Sequence, residues 1–221
     1  MNKIMAAVLA AVSGSALLAG CSPTTETAST LTSAPPPTVW TGAPERSAAT
    51  LHQFIIDNKL AEVPFRADEP GTPQIDFPLP PDWSSAGDRT PEWAYGAIVY
   101  DKATDPADPP FMVAIASKLT GDVDAEKILQ YAPGQLNELP DFTPRGEPKK
   151  DSLSGFEAID YVGTYVWDGK PRVVGQQTIV IPGEDALFVV QLNADAPKDE
   201  AQVVIDAVGV ILDKTTITAP A

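Results

Sequence analysis

This 221-residue chain has one cysteine, at position 21, directly behind a short apolar run. None follows it, so everything beyond must fold without disulfide staples or a thiolate metal cage. There is also only one histidine, His52, so a Cys-rich zinc site and a Cys–His nucleophilic pair both lack parts. What remains is an ordinary hydrophobic core. With 43% apolar and 20% charged residues, the chain has the material to build one.

Residues 1–21 read as a secretory signal. Lys3 supplies the positive start, and an apolar run from Ile4 to Leu18 follows, broken only by Ser13, Gly14 and Ser15. The run is about 15 residues, short of the ~20 needed to span a bilayer. It ends in Leu18-Ala19-Gly20-Cys21, the pattern of a bacterial lipobox, in which a small residue precedes a cysteine that is acylated and becomes the mature N-terminus. Each buried CH₂ contributes about 0.8 kcal/mol, so two or three acyl chains anchor firmly where one does not. The expectation is a protein lipid-anchored through Cys21 on the outer face of the cell membrane, without spanning it.

Residues 22–46 read as a disordered stalk. The stretch 22–44 holds three Ser, seven Thr and five Pro but one charge, Glu26, and cannot bury enough apolar surface to order itself. Its ends would lie roughly 25–30 Å apart as a coil and about 75 Å apart when stretched. Its composition also suits O-glycosylation. Val39-Trp40 is an apolar pair out of keeping with the rest. The formal net charge of the chain is −15, which repels phosphates. Nucleic-acid binding by a basic face is excluded, and a domain on this anchor should stand off an anionic bilayer. A protein partner would need basic loops.

Residues 47–221 read as a single α+β domain. Ser47 is placed to cap a helix carrying Leu51, Phe54 and Ile55 on one face. Ile75 to Leu79 suggest a short strand, ended by Pro80-Pro81-Asp82-Trp83. Trp93 to Tyr100 and Phe111 to Ser117 are β-rich. Asp122 or Asp124 caps a helix that Pro133-Gly134 should kink or break. Phe156 to Trp167 and Arg172 to Ile181 form a hairpin through Asp168-Gly169. Leu187 to Leu192, apolar on both faces, suggests a central strand. Asp195 is expected to cap a last helix bearing Ala201, Val204, Ile205, Val208, Ile211 and Leu212. Hairpins with helices at the start, middle and end imply helices packed on a mostly antiparallel sheet.

Little in the chain points to catalysis. His52 lacks a nucleophile elbow and reads as a solvent-facing helix residue. The acidic loops around Asp101, Asp105 and Asp108, and around Asp122, Asp124 and Glu126, lack EF-hand spacing. No Walker loop, dinucleotide fingerprint or His-Glu-x-x-His occurs, so no cofactor and no metal site is expected. Aromatic residues at strand ends and turns offer platforms for sugar rings and lipid tails. The candidate ligand-binding set is Trp83, Tyr95, Tyr165, Trp167, Gln177 and Asn193, with Trp83 and Trp167 the least core-like.

Several segments, in order, carry a family resemblance: FPLPPDW at 77–83, YGAIVY at 95–100, SKLTGDVDAEKILQYAPGQL at 117–136, LSGF at 153–156, TIVIPG at 178–183, FVVQLNADA at 188–196 and TTIT at 215–218. On these the chain resembles the mycobacterial LpqN/LpqT lipoprotein family. The resemblance implies a PsbP-like α/β/α sandwich and a non-enzymatic envelope protein. It also implies an association with transport of trehalose-linked mycolic glycolipids through inner-membrane permeases. It carries no catalytic residues. Two functions follow as expectations. A glycolipid-binding accessory would show a pocket of at least a few hundred Å³ near Gln177 or Asn193. An adaptor docking on a permease would show an exposed apolar patch instead.

Overall fold

The computed structural model describes residues 50–220; the signal 1–21, the stalk 22–46 and Ser47 lie outside them. In chain order the elements are α1 (Leu51–Asp57), β1 (Ala61–Pro64), β2 (Gln74–Asp76), β3 (Trp83–Ser85), β4 (Gly96–Tyr100), β5 (Phe111–Thr120) and α2 (Ala125–Tyr131). There follow β6 (Thr143–Pro144), β7 (Lys149–Leu153), β8 (Phe156–Trp167), β9 (Lys170–Pro182), β10 (Leu187–Pro197), α3 (Ala201–Lys214) and β11 (Thr216–Thr218). Short 3₁₀ turns occupy Gly87–Arg89, Ala132–Glu138 and Lys198–Glu200.

The sheet runs β3-β4-β5-β10-β9-β8-β6, with β1 also on β5 and β7 also on β8, and every pairing is antiparallel. Its spine is the β8–β9 hairpin, whose Asp168 and Gly169 both take positive φ, 50° and 74°, as a two-residue loop requires. β11 pairs with β2 in a separate ribbon. The expected α+β class with a mostly antiparallel sheet is therefore what the chain forms.

Strand alternation divides the core into two faces. On one, α1 and α2 bury Leu51, Ile55, Ile128 and Leu129 against Leu119, Val180 and Val189. On the other, α3 lays Val204, Ala207 and Ile211 on Met112, Ala194 and Ala196. Beside that contact, Ile217 of β11 packs with Ile179, Ile181, Phe188 and Val190.

Several boundaries differ from the sequence reading. Thr50 caps α1, its hydroxyl accepting from Gln53 N–H at 3.2 Å. Asp124 rather than Asp122 caps α2, accepting from Glu126 and Lys127. The helix gives way to the 3₁₀ turn at Ala132, where Pro133 and Gly134 stand. The expected strand Ile75 to Leu79 is only Gln74–Asp76, because Pro78 and Pro80 supply no N–H to a ladder.

Asp195 caps nothing. It lies inside β10 and is 6% exposed. Tyr165 donates to its Oδ2 at 2.6 Å, and Arg172 donates from Nε to its Oδ1 at 2.7 Å. Arg172 Nη1 also holds Asp108 at 2.8 and 2.9 Å, pinning the 101–110 loop to the sheet. Burial pushes the Asp195 carboxyl up, and Arg172 opposes the shift. The last helix instead follows the turn Lys198–Glu200, and Glu200 accepts from Thr104 N–H at 3.0 Å.

Candidate functional site

A cavity of about 780 Å³ lies between the sheet and α3. Its floor is two rows of directly paired residues crossing five strands. One row is Gly96, Ala114, Leu192, Gln177 and Asp160; the other is Ile98, Met112, Ala194, Gly175 and Val162. At about 4.8 Å per strand the floor is ~19 Å across. The void follows from the sequence: Gly96, Ala114, Ala194 and Gly175 leave short positions in the floor between the taller Ile98, Met112, Leu192 and Gln177. α3 supplies the roof with Val204, Ile205, Val208, Ile211 and Leu212, which share one stripe by their i, i+3, i+4 spacing. The segment Phe77–Leu79 closes one side. Leu79, Val162 and Ile205 are 57%, 45% and 53% exposed and form an apolar rim.

The floor changes character at its β8–β9 end. Gln177 is 6% exposed, and its amide interacts with the Asp160 carboxyl without reaching good hydrogen-bond geometry. Asp160 lies directly across on β8, its carboxyl between Gln177 and Asp151. These polar side chains stand together at one end of an otherwise largely apolar cavity, where burial makes their pairing matter most. Burial pushes the Asp160 carboxyl up to about 6, and neighbouring Asp151 adds to this, while Gln177 and Lys149 pull the other way. Asp151 is held below the ordinary range, first by the Ser152 N–H and then by Asp160.

The candidate ligand residues separate in space. Tyr95 and Gln177 line the cavity. Tyr95 stands edge-on to Phe65 and Phe77, centroids 5.9 and 6.1 Å away, and burial raises its phenol, with Asp68 adding. Asn193 borders the cavity with its main chain only. It pairs with Gln176, whose amide donates to it at 3.0 Å, so alternation sends its side chain to the opposite face. Tyr165 is on that opposite face too, 3% exposed and bound to Asp195.

Trp83 is not the exposed platform its turn suggests. Asp82 takes φ 64° and reverses the chain, which drops the indole, 4% exposed, into the core under α3 and 5.7 Å from the Tyr100 ring. Trp167 is 37% exposed at the hairpin tip, away from the residues lining the cavity. The sequence reading missed Asp160. Its signal was a lone carboxylate between Ile159 and Tyr161 in a β-rich run, on the face of Ala158 and Val162.

Among the described residues no helix is long and apolar enough to cross a membrane, and no group of three or more His, Cys, Asp or Glu is placed to hold a metal. His52 is exposed on α1.

Comparison with known proteins bears on the same domain. The family described as "Probable lipoprotein LpqN" matches residues 47–218. A curated relative, lipoprotein LpqN of Mycobacterium tuberculosis, is 48% identical over 171 residues, covering 76% of this chain and 74% of the relative. A crystal structure of LpqN from that organism, described as involved in cell envelope biogenesis, superposes with a TM-score of 0.74 at 47% identity. It covers 78% of this chain and 99% of the crystallised one. The chain therefore belongs to the LpqN family of lipoproteins.

Proposed function

We propose that this protein is a non-enzymatic lipoprotein of the cell envelope, anchored through acylated Cys21, that receives a trehalose-type mycolic glycolipid and assists its transport. The observation that carries the reading is the cavity below α3. Its volume of about 780 Å³ falls within the roughly 300–1,000 Å³ of small-molecule sites. It is apolar over most of its floor and roof, and the polar side chains of Gln177 and Asp160 stand together at one end. That is the polarity of an amphiphile. An acyl segment fits the apolar part, and longer chain leaves past Leu79, Val162 and Ile205. The same rim gives an inner-membrane permease an apolar surface to meet during handover. The described role of the LpqN relative in envelope biogenesis supports the setting.

Native mass spectrometry of the acyl-free mature chain, mixed with a trehalose glycolipid or with free trehalose, tests this. Saturable one-to-one retention of the glycolipid and little of the sugar is expected. Retention of neither would move the reading to an adaptor that docks on a permease without binding lipid.

A further inference from the structure

We propose that α3 is the gate through which the amphiphile enters and leaves the cavity, loosening along its length while both of its ends stay tied to the rest of the domain. The proposal rests on the reading of the cavity as a lipid site and adds the route in and out.

The first support is the sequence of the helix. Six of the 14 residues in AQVVIDAVGVILDK are β-branched, and Gly209 stands in the interior. Both features weaken a helix on its own. No side chain caps its N-terminus. Such a helix holds its shape through tertiary packing.

The second support is that this packing is one-sided. Val204, Ala207 and Ile211 are buried with Trp83, Met112 and Ala194. Ile205, Val208 and Leu212 border the cavity, and none of the three is buried. A chain lodged beneath them would add the contacts that this side of the helix has fewest of, so ligand and helix order each other. Ile205 belongs to the roof and to the rim, and a loosened α3 therefore widens the opening.

The third support is where the ties lie. Ahead of the helix, the Thr104 N–H donates to Glu200 at 3.0 Å. Behind it, β11 pairs with β2, and the Ile217 N–H donates to the Ser154 hydroxyl oxygen at 2.9 Å. Ile217 is itself buried among Ile179, Ile181 and Phe188. None of these contacts needs helical backbone between them, so α3 can open locally without releasing β11.

The test uses the mature chain, residues 21–221 with Cys21→Ser, and a dodecyl maltoside carrying a dansyl group on its terminal carbon, kept below its micellar concentration. Hydrogen exchange in the free chain should be faster in α3 than in β9 and β10, and the probe should slow α3 by about tenfold. Gly209→Ala strengthens the helix without touching the cavity, since Gly209 is not among the lining residues and a Cβ there meets nothing within 4 Å. Because passage in both directions depends on the open population, stopped-flow fluorescence should show association and dissociation each about fivefold slower in this variant, with Kd unchanged. The exposed pair Asp206→Ala and Asp206→Gly, which differ in helix propensity alone, should separate in the same way, the glycine variant being the faster in both directions. An α3 as protected as β10 in the free chain, or rates unmoved in Gly209→Ala, overturns the gate and leaves the lipid cavity standing. Failure of the wild-type chain to bind the probe overturns the lipid site and the gate with it.

Discussion

Gly163 and Asp160 sit three residues apart on β8 and show how single positions shape the molecule. A Cβ on Gly163 would lie 2.3 Å from the Phe142 ring and 2.8 Å from the Thr143 carbonyl oxygen. The ring packs against the bare backbone, 5.5 Å from that of Tyr161. Gly163→Ala should cost about 1–3 kcal/mol, read as a lower urea midpoint with unchanged slope. Asp160 gives a pH dependence whose sign follows from its raised pKa. The carboxyl titrates near 3.8 when unfolded and near 6 when folded, so the folded chain binds more protons in between. Stability should fall as pH rises from about 4 to about 6, with the full cost present above that. Because Asp160 is only partly buried, solvent screening reduces that cost to about 1 kcal/mol. Asp160→Asn should gain about that amount at pH 8 and nothing below pH 4 in denaturant titrations.

At the scale of elements, the β8–β9 hairpin was legible because Asp-Gly between two β-rich runs has one economical conformation. The break after α2 was legible because Pro133 has no N–H to donate. The fate of Asp195 was not. An aspartate ahead of a helical stripe looks like a cap, and only its partners Tyr165 and Arg172, 30 and 23 residues away, reveal it as mid-strand. Long-range pairing overrode a local signal. Trp83 misled for a related reason, since a turn residue beside it says nothing about which way the turn throws the ring. The Arg172 cluster also makes a sharp prediction. Arg172 is 4% exposed and joins β9, β10 and the 101–110 loop. Arg172→Met should leave Asp195 buried without its counter-charge and cost about 3–5 kcal/mol in equilibrium unfolding. The loss should be accompanied by faster hydrogen exchange in the 101–110 loop.

For the whole molecule, the family and the α+β architecture were visible in the sequence, whereas the cavity was not. Gly96, Ala114, Gly175 and Ala194 are unremarkable one by one, and they make a void only when four strands align them in adjacent rows. Of the six ligand-binding candidates, Tyr95 and Gln177 line it with their side chains by position, because a strand's face is decided by register that a single sequence does not state. An amphiphile lodged in that void could be blocked directly. A Cβ on Gly175 meets nothing closer than Val162 Cγ2 at 3.7 Å, an ordinary contact, so a larger side chain there can stand without displacing the backbone. It would rise from the middle of the floor into the space the ligand needs. The decisive measurement is therefore the titration of a trehalose glycolipid into the wild-type mature chain and into Gly175→Leu, with the melting temperature of each recorded alongside. Saturable one-to-one binding by the wild type, weakened at least tenfold in a variant that melts at the same temperature, is the predicted result. Equal binding by both would contradict the account and place the lipid elsewhere on the protein.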